Sequence, residues 1–160
     1  MPDGPLFVLT LLAALGSCLV AGMFLAFSSL VMPSLARLPP AQGLAAMQTV
    51  NAGVFTVWFM GTFMGTAVLN AAVAVLTLVD RPRDATVELL LGAGLYLIGA
   101  FGVTAAANVP RNTAIERLDP QDAASAAPWR TYVTEWTRWN TVRTVAALAA
   151  AVSLTFALVA

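Results

Sequence analysis

Trp129, Tyr132, Trp136, Trp139 and Arg143 follow one another at spacings of three, four, three and four residues. On a continuous helix that spacing puts all five on one face. An aromatic wall ending in a guanidinium suits a flat, apolar ligand, with Arg143 and the adjacent Asn140 as its polar anchors. Together those two can steady negative charge on a ligand oxygen, as preorganised donors do for an oxyanion. The plainer reading is an aromatic belt at the membrane interface with a snorkelling Arg143. A belt needs no single-faced stripe over several turns, whereas a pocket or a packing face does.

Other polar groups interrupt apolar runs. Asn70 lies in line with Thr62 and Thr66, at i, i+4 and i+8. Polar groups at that depth must bond to something, either a neighbouring helix or a ligand. Gly61-x-x-x-Gly65 beside them predicts close helix packing, as does a small-residue stripe of Cys18, Gly22 and Ala26. The lone Cys18 reads as a buried small hydrophobe. Asn108-Val109-Pro110-Arg111-Asn112 reads as the end of a helix, with Pro110 as the stop and Asn112 capping the next turn. The two Asn can equally orient a ligand. Gln48 and Asn51 fall at the same mouth by topology.

The chain has no His, which removes His-ligated haem, facial-triad iron, His-based zinc and His-activated nucleophiles. No metal-ligand spacing, phosphate loop or nucleophile elbow is present, so no metal site and no cofactor is expected. There is no Lys either, and eight Arg balance eight acids. Nucleic acid, which needs a basic patch, is excluded as a partner.

The elements that carry these residues follow from composition. Of 160 residues, 59% are hydrophobic and 10% charged, against roughly a quarter charged in a soluble domain. Lipid is the natural solvent for such an exterior. Uncharged stretches predict spans at about 6–32, 54–79, 87–107 and 142–160, the last extended back to about 128, where about 20 apolar residues suffice. The first run has no basic n-region and is too long for a signal peptide; Pro33 should stop it. A short helix is predicted over 41–51, and a charged turn at Asp80-Arg81-Pro82-Arg83-Asp84. Thr113-x-x-Glu116 fits a capping box and Asp119-Pro120-Gln121-Asp122 a helix start, so short helices should occupy the third connection too. Glu135 and Arg138, three apart, can pair.

The expected fold is all-α: a single integral membrane four-helix bundle with short interfacial helices in the first and third connections. It should be multi-pass in the cell membrane. The six Arg of those two connections, against two opposite, favour both termini outside.

Three segments resemble a known family. They are Gly22-Met-Phe-Leu-Ala-Phe-Ser-Ser-Leu-Val-Met-Pro33 through Met47-Gln-Thr-Val-Asn51, Asn108-Val-Pro-Arg-Asn112, and Trp129-x-x-Tyr-x-x-x-Trp-x-x-Trp-Asn-x-Val-Arg-Thr144. The chain resembles the anthrone oxygenase-like family of small membrane proteins over nearly its whole length. The resemblance implies a four-helix membrane fold and cofactor-independent oxidation of an anthrone to an anthraquinone by O2. The positions it carries over are Asn51, Asn108, Asn112, Trp136, Trp139, Asn140 and Arg143. The general base is not identified by it in a chain without His; Glu135 and Glu116 are the candidates.

Two functions stay open. One is an oxygenase acting on a flat phenolic or anthrone-like molecule, with Arg143 and Asn140 catalytic and Trp136, Trp139, Tyr132, Asn108, Asn112, Asn51 and Asn70 binding substrate. The other is a non-catalytic membrane module that binds a lipid, a quinone or a partner membrane protein. Membrane lipid, a hydrophobic aromatic small molecule and a second copy of the chain are the expected partners.

Overall fold

The computed structural model describes residues 4–80 and 84–160. The centre of the expected charged turn, Arg81-Pro82-Arg83, lies outside the described residues. Every regular element among the described residues is helical. The main ones are α1 (Gly4–Ala36), α2 (Pro40–Gly53), α3 (Val57–Asp80), α4 (Thr86–Glu116) and α5 (Ala126–Ala157). All but α2 are long and apolar enough to cross a membrane. The chain is thus a multi-pass membrane protein.

Two helices run through prolines that the sequence predicts as stops. Proline lacks the backbone donor and crowds the preceding turn. In both places a π-helical stretch comes first: Phe27–Val31 before Pro33 and Thr104–Asn108 before Pro110. The wider turns re-satisfy the backbone groups that a proline frees. The second case matters for the site. Because α4 continues to Glu116, Asn108 and Asn112 lie one turn apart on one helix face instead of flanking a chain break. Thr113 is therefore inside a helix and donates back to the Val109 carbonyl at 3.1 Å, so it caps nothing.

The helix start expected around Asp119 forms further on. Asp122 Oδ1 accepts from the Ala124 N–H at 2.8 Å and opens a short 3₁₀ turn, Ala123–Ser125, that feeds α5. At 32 residues α5 is about 48 Å long, well beyond the roughly 30 Å hydrocarbon core. Its N-terminal half carries the aromatic stripe.

The four long helices form a ring of neighbours, α1 against α3 and α5, and α4 against the same two. Three apolar layers stack along the bundle. Leu6, Val73, Leu89 and Leu154 fill one end; Phe24, Phe63, Tyr96 and Ala147 the middle; Met32, Met47, Trp129 and Tyr132 the other end. Small residues set the helix spacing. A Cβ on Gly99 would fall 2.5 Å from that of Ala146, and one on Gly43 would fall 2.9 Å from the Trp129 ring. That second contact lets α2 lie across α5.

The packing glycines are not those the sequence suggests. Gly61 meets only a Val57 methyl, at 3.8 Å, and Gly65 meets nothing within 4 Å. Cys18, Gly22 and Ala26 also face outward, so Cys18 is exposed on the bundle exterior rather than buried. The buried line of α1 is Ala13, Ser17, Val20 and Phe24. A helix apolar on every side carries no hydrophobic phase, so its inner face is not legible from periodicity.

Candidate functional site

A cavity of about 520 Å³ lies between the middle and upper apolar layers. Phe24 and Phe27 of α1, Asn51 at the end of α2 and Phe59 of α3 line one side. Thr104, Asn108 and Asn112 of α4 and Trp136, Asn140 and Arg143 of α5 line the other. These six fall on single helix faces: 104, 108 and 112 are four apart, and 136, 140 and 143 are four and three apart. Apart from Thr113 and Glu116 the rest of the lining is apolar. Among the described residues Glu116 is the one acid and Arg143 the one cation on the lining. Among the described residues no group of acidic or cysteine side chains gathers to hold a metal ion.

Arg143 is 5% exposed. Its Nη1 donates to Thr104 Oγ1 at 2.9 Å and its Nη2 to Asn140 Oδ1 at 2.5 Å. The guanidinium carbon sits 4.1 Å from the centroid of the Phe24 ring and 5.4 Å from that of Trp136, so aromatic faces hold the cation on two sides. Among the described residues no carboxylate lies within ion-pair distance of it; the ion pair seen is Arg111–Glu135, at 2.9 Å. Arg143 Nε is buried and makes no hydrogen bond. This is a fixed cation with one donor left over, facing an apolar cavity.

Asn140 is completely buried, and its amide can point only one way. Nδ2 donates to the Phe24 carbonyl and to Ser28 Oγ, both at 2.7 Å. A carbonyl only accepts, so the amino group must face it and Oδ1 must face Arg143. Both N–H bonds are thereby committed within the protein, and Asn140 has none to offer a ligand. It positions Arg143.

Similar reasoning fixes two more amides. Asn112 Oδ1 accepts from Trp136 Nε1 at 2.7 Å and from the Tyr132 hydroxyl at 3.0 Å. The indole is a pure donor, so the oxygen must face it. Asn108 Nδ2 donates to the Trp136 carbonyl at 3.3 Å, which turns its Oδ1 away; that oxygen is buried and unpaired. Asn51 lies beside the Tyr132 hydroxyl, but its buried Nδ2 makes no hydrogen bond of acceptable geometry.

Three expected site residues lie elsewhere. Tyr132 is packed behind the wall, stacked on Trp129 at 5.7 Å, and its hydroxyl meets the lining residue Asn112. Trp139 sits at the stripe's margin, 36% exposed, with the Arg111 guanidinium 6.0 Å from its ring. Asn140 takes the inward position next to it. Asn70 is buried far down α3, where it bonds Ser17 Oγ at 3.3 Å and the Thr66 carbonyl at 2.9 Å, tying α3 to α1. Of the two candidate bases, Glu116 is on the cavity lining, whereas Glu135 is held by Arg111 instead of Arg138. Gln48 bridges α2 to the carbonyls of Ile115 and Leu118, each at 2.9 Å, and so seats the end of α2 over the cavity.

Thr104, Phe24 and Ser28 escape a reading of the sequence. Phe24 and Thr104 sit in runs that look like ordinary lipid-facing helix, and Ser28 reads as helix packing. The available signal is spacing: Phe24 and Ser28 are four apart, as are Thr104 and Asn108, which places each pair on one face.

No curated protein and no solved structure matches the chain. A sequence model described as anthrone oxygenase matches residues 55–153, more than half of the chain. That range holds α3, α4 and most of α5, and with them Thr104, Asn108, Asn112, Trp136, Asn140 and Arg143.

Proposed function

The chain belongs to the anthrone oxygenase family, and we propose that it oxidises a flat phenolic or anthrone-like molecule with O2 in the cavity beside Arg143, without a cofactor. The observation that carries this reading is the buried guanidinium with no anionic partner among the described residues. Burying an unpaired charge is costly, and in a membrane helix it marks a functional position by default. A cation fixed in advance on an apolar wall lowers the energy of an anion that forms only during reaction.

An anthrone supplies such an anion. Loss of a C10 proton gives an enolate whose negative charge rests on the C9 oxygen, beside the Arg143 guanidinium. Glu116, the acid on the lining, takes that proton. The electron-rich enolate reduces O2 directly, and a C–O bond forms at C10 with the proton returned to give a hydroperoxide. Loss of the second C10 hydrogen, with cleavage of the O–O bond, leaves a C10 carbonyl and releases water. Atoms balance as anthrone plus O2 giving anthraquinone plus water, and the substrate supplies every electron. Trp136 and Phe24 flank the guanidinium and offer aromatic faces to the rings. The substrate reaches the site from the membrane in which the protein is embedded.

The test is product labelling. Purified protein given an anthrone under ¹⁸O2 should form quinone with one labelled oxygen, faster than a heat-denatured control. Formation at the rate of the control would overturn the reading.

A further inference from the structure

The unpaired Asn108 oxygen identifies a second feature of the ligand. Asn108 is 1% exposed, lines the cavity and has an Oδ1 with no hydrogen-bond partner. Its orientation is settled by the Trp136 carbonyl, which takes the Nδ2 hydrogen at 3.3 Å and would repel the oxygen. A buried acceptor without a protein partner, on a residue that lines the cavity, calls for a donor that enters the cavity.

Asn108 follows Thr104 by four residues on α4, and Thr104 Oγ1 is the group that holds Arg143 Nη1. The acceptor and the point where the cation is anchored therefore belong to one helix and one cavity. A cationic donor is disfavoured in a cavity that already holds Arg143, and most of the lining is apolar. A neutral O–H is the complement.

We infer that the ligand carries a hydroxyl, separate from the oxygen held by Arg143, and that Asn108 Oδ1 accepts its hydrogen bond. Asn108 is then a specificity residue. An apolar cavity alone discriminates weakly between a hydroxylated ring and its relatives, but a site built to bond a hydroxyl rejects an analogue that lacks one. This inference rests on the proposed use of the cavity for a flat oxygenated molecule.

Binding separates it from turnover. The full-length protein in detergent is titrated with 2-hydroxyanthraquinone and with its methyl ether, below the phenol's own titration, and quenching of Trp fluorescence gives each Kd. Neither probe can turn over. The hydroxyl compound should bind at least about tenfold more tightly to the wild type, and Asn108→Leu should bring the ratio close to one while the ether still binds. Equal affinities in the wild type, a preference that survives in Asn108→Leu, or no binding of either probe would overturn the inference. Should Asn108→Leu not fold, Asn108→Ala is read in the same way. A wild type that oxidises an anthrone but shows no preference would sink this inference alone; a wild type that shows the preference without any oxidation would sink the oxygenase reading alone.

Discussion

Arg143 Nη2 donates to Asn140 Oδ1 at 2.5 Å, one turn back along α5, and no acid within ion-pair distance shares the guanidinium among the described residues. A carboxylate in place of Asn140 would hold the guanidinium as well but would cancel its charge. A neutral amide holds it and leaves the charge for whatever occupies the cavity. The amide is itself anchored on α1, through the Phe24 carbonyl and Ser28 Oγ, so the bundle fixes the cation from two helices at once.

Asn140→Ala should therefore act through position. Removing it unties α5 from α1 and frees one arm of Arg143, at a cost of about 1–3 kcal/mol in stability. Since Asn140 has no donor facing the cavity, kcat should fall at least about tenfold while KM changes little. Steady-state kinetics on folded protein, with a denaturation titration alongside, checks both parts.

Glu116→Gln and Glu135→Gln separate the two acids. Only Glu116 lines the cavity; Glu135 is 51% exposed and paired with Arg111. Replacing a general base typically costs about 10²- to 10⁴-fold, so Glu116→Gln should lose anthrone oxidation on that scale. Glu135→Gln should keep it within about twofold, as expected for an exposed pair worth about 0–1 kcal/mol. The reverse ranking would move the proton acceptor elsewhere.

Much of this arrangement was legible in the sequence, and the limits have physical causes. The aromatic stripe and Arg143 carry a helical phase because α5 is polar enough to have one. Asn51, Asn108, Asn112, Trp136, Asn140 and Arg143 stand out as polar or amphipathic groups in apolar surroundings, and all six line one cavity. The α1 wall was hidden because a helix apolar all round has no readable inner face. Helix ends at Pro33 and Pro110 misled for another reason: π turns carry both helices past prolines, and no local propensity signals them. Asn70 shows that a polar residue at membrane depth says only that it must bond, not to what.

Trp136→Phe keeps an aromatic face and removes the indole N–H that bonds Asn112 at 2.7 Å. Asn112 retains the Tyr132 hydroxyl. Stability should fall by about 1 kcal/mol, with KM raised and kcat held within about twofold. A collapse of kcat would give the indole N–H a part in the reaction itself.

Asn70→Leu and Trp139→Ala are the complementary controls, as neither residue lines the cavity. Interhelical bonds of the Asn70 kind contribute about 0.6 kcal/mol on average, with a maximum of about 1.7. Both variants should oxidise an anthrone at the wild-type rate per folded molecule, and Asn70→Leu should shift unfolding by no more than that range. A rate loss in either would extend the site beyond the cavity.

The decisive experiment is O2 uptake by purified protein given an anthrone, with Arg143→Ala measured beside the wild type and protein-free autoxidation subtracted. Wild type should consume one O2 per anthraquinone formed, and the variant should lose at least about 10²-fold in rate, the scale for removing a single oxyanion donor, while still giving a helical circular-dichroism spectrum. Equal rates in the two proteins, or no uptake above autoxidation by well-folded wild type, would contradict a role for the buried guanidinium in oxygenation.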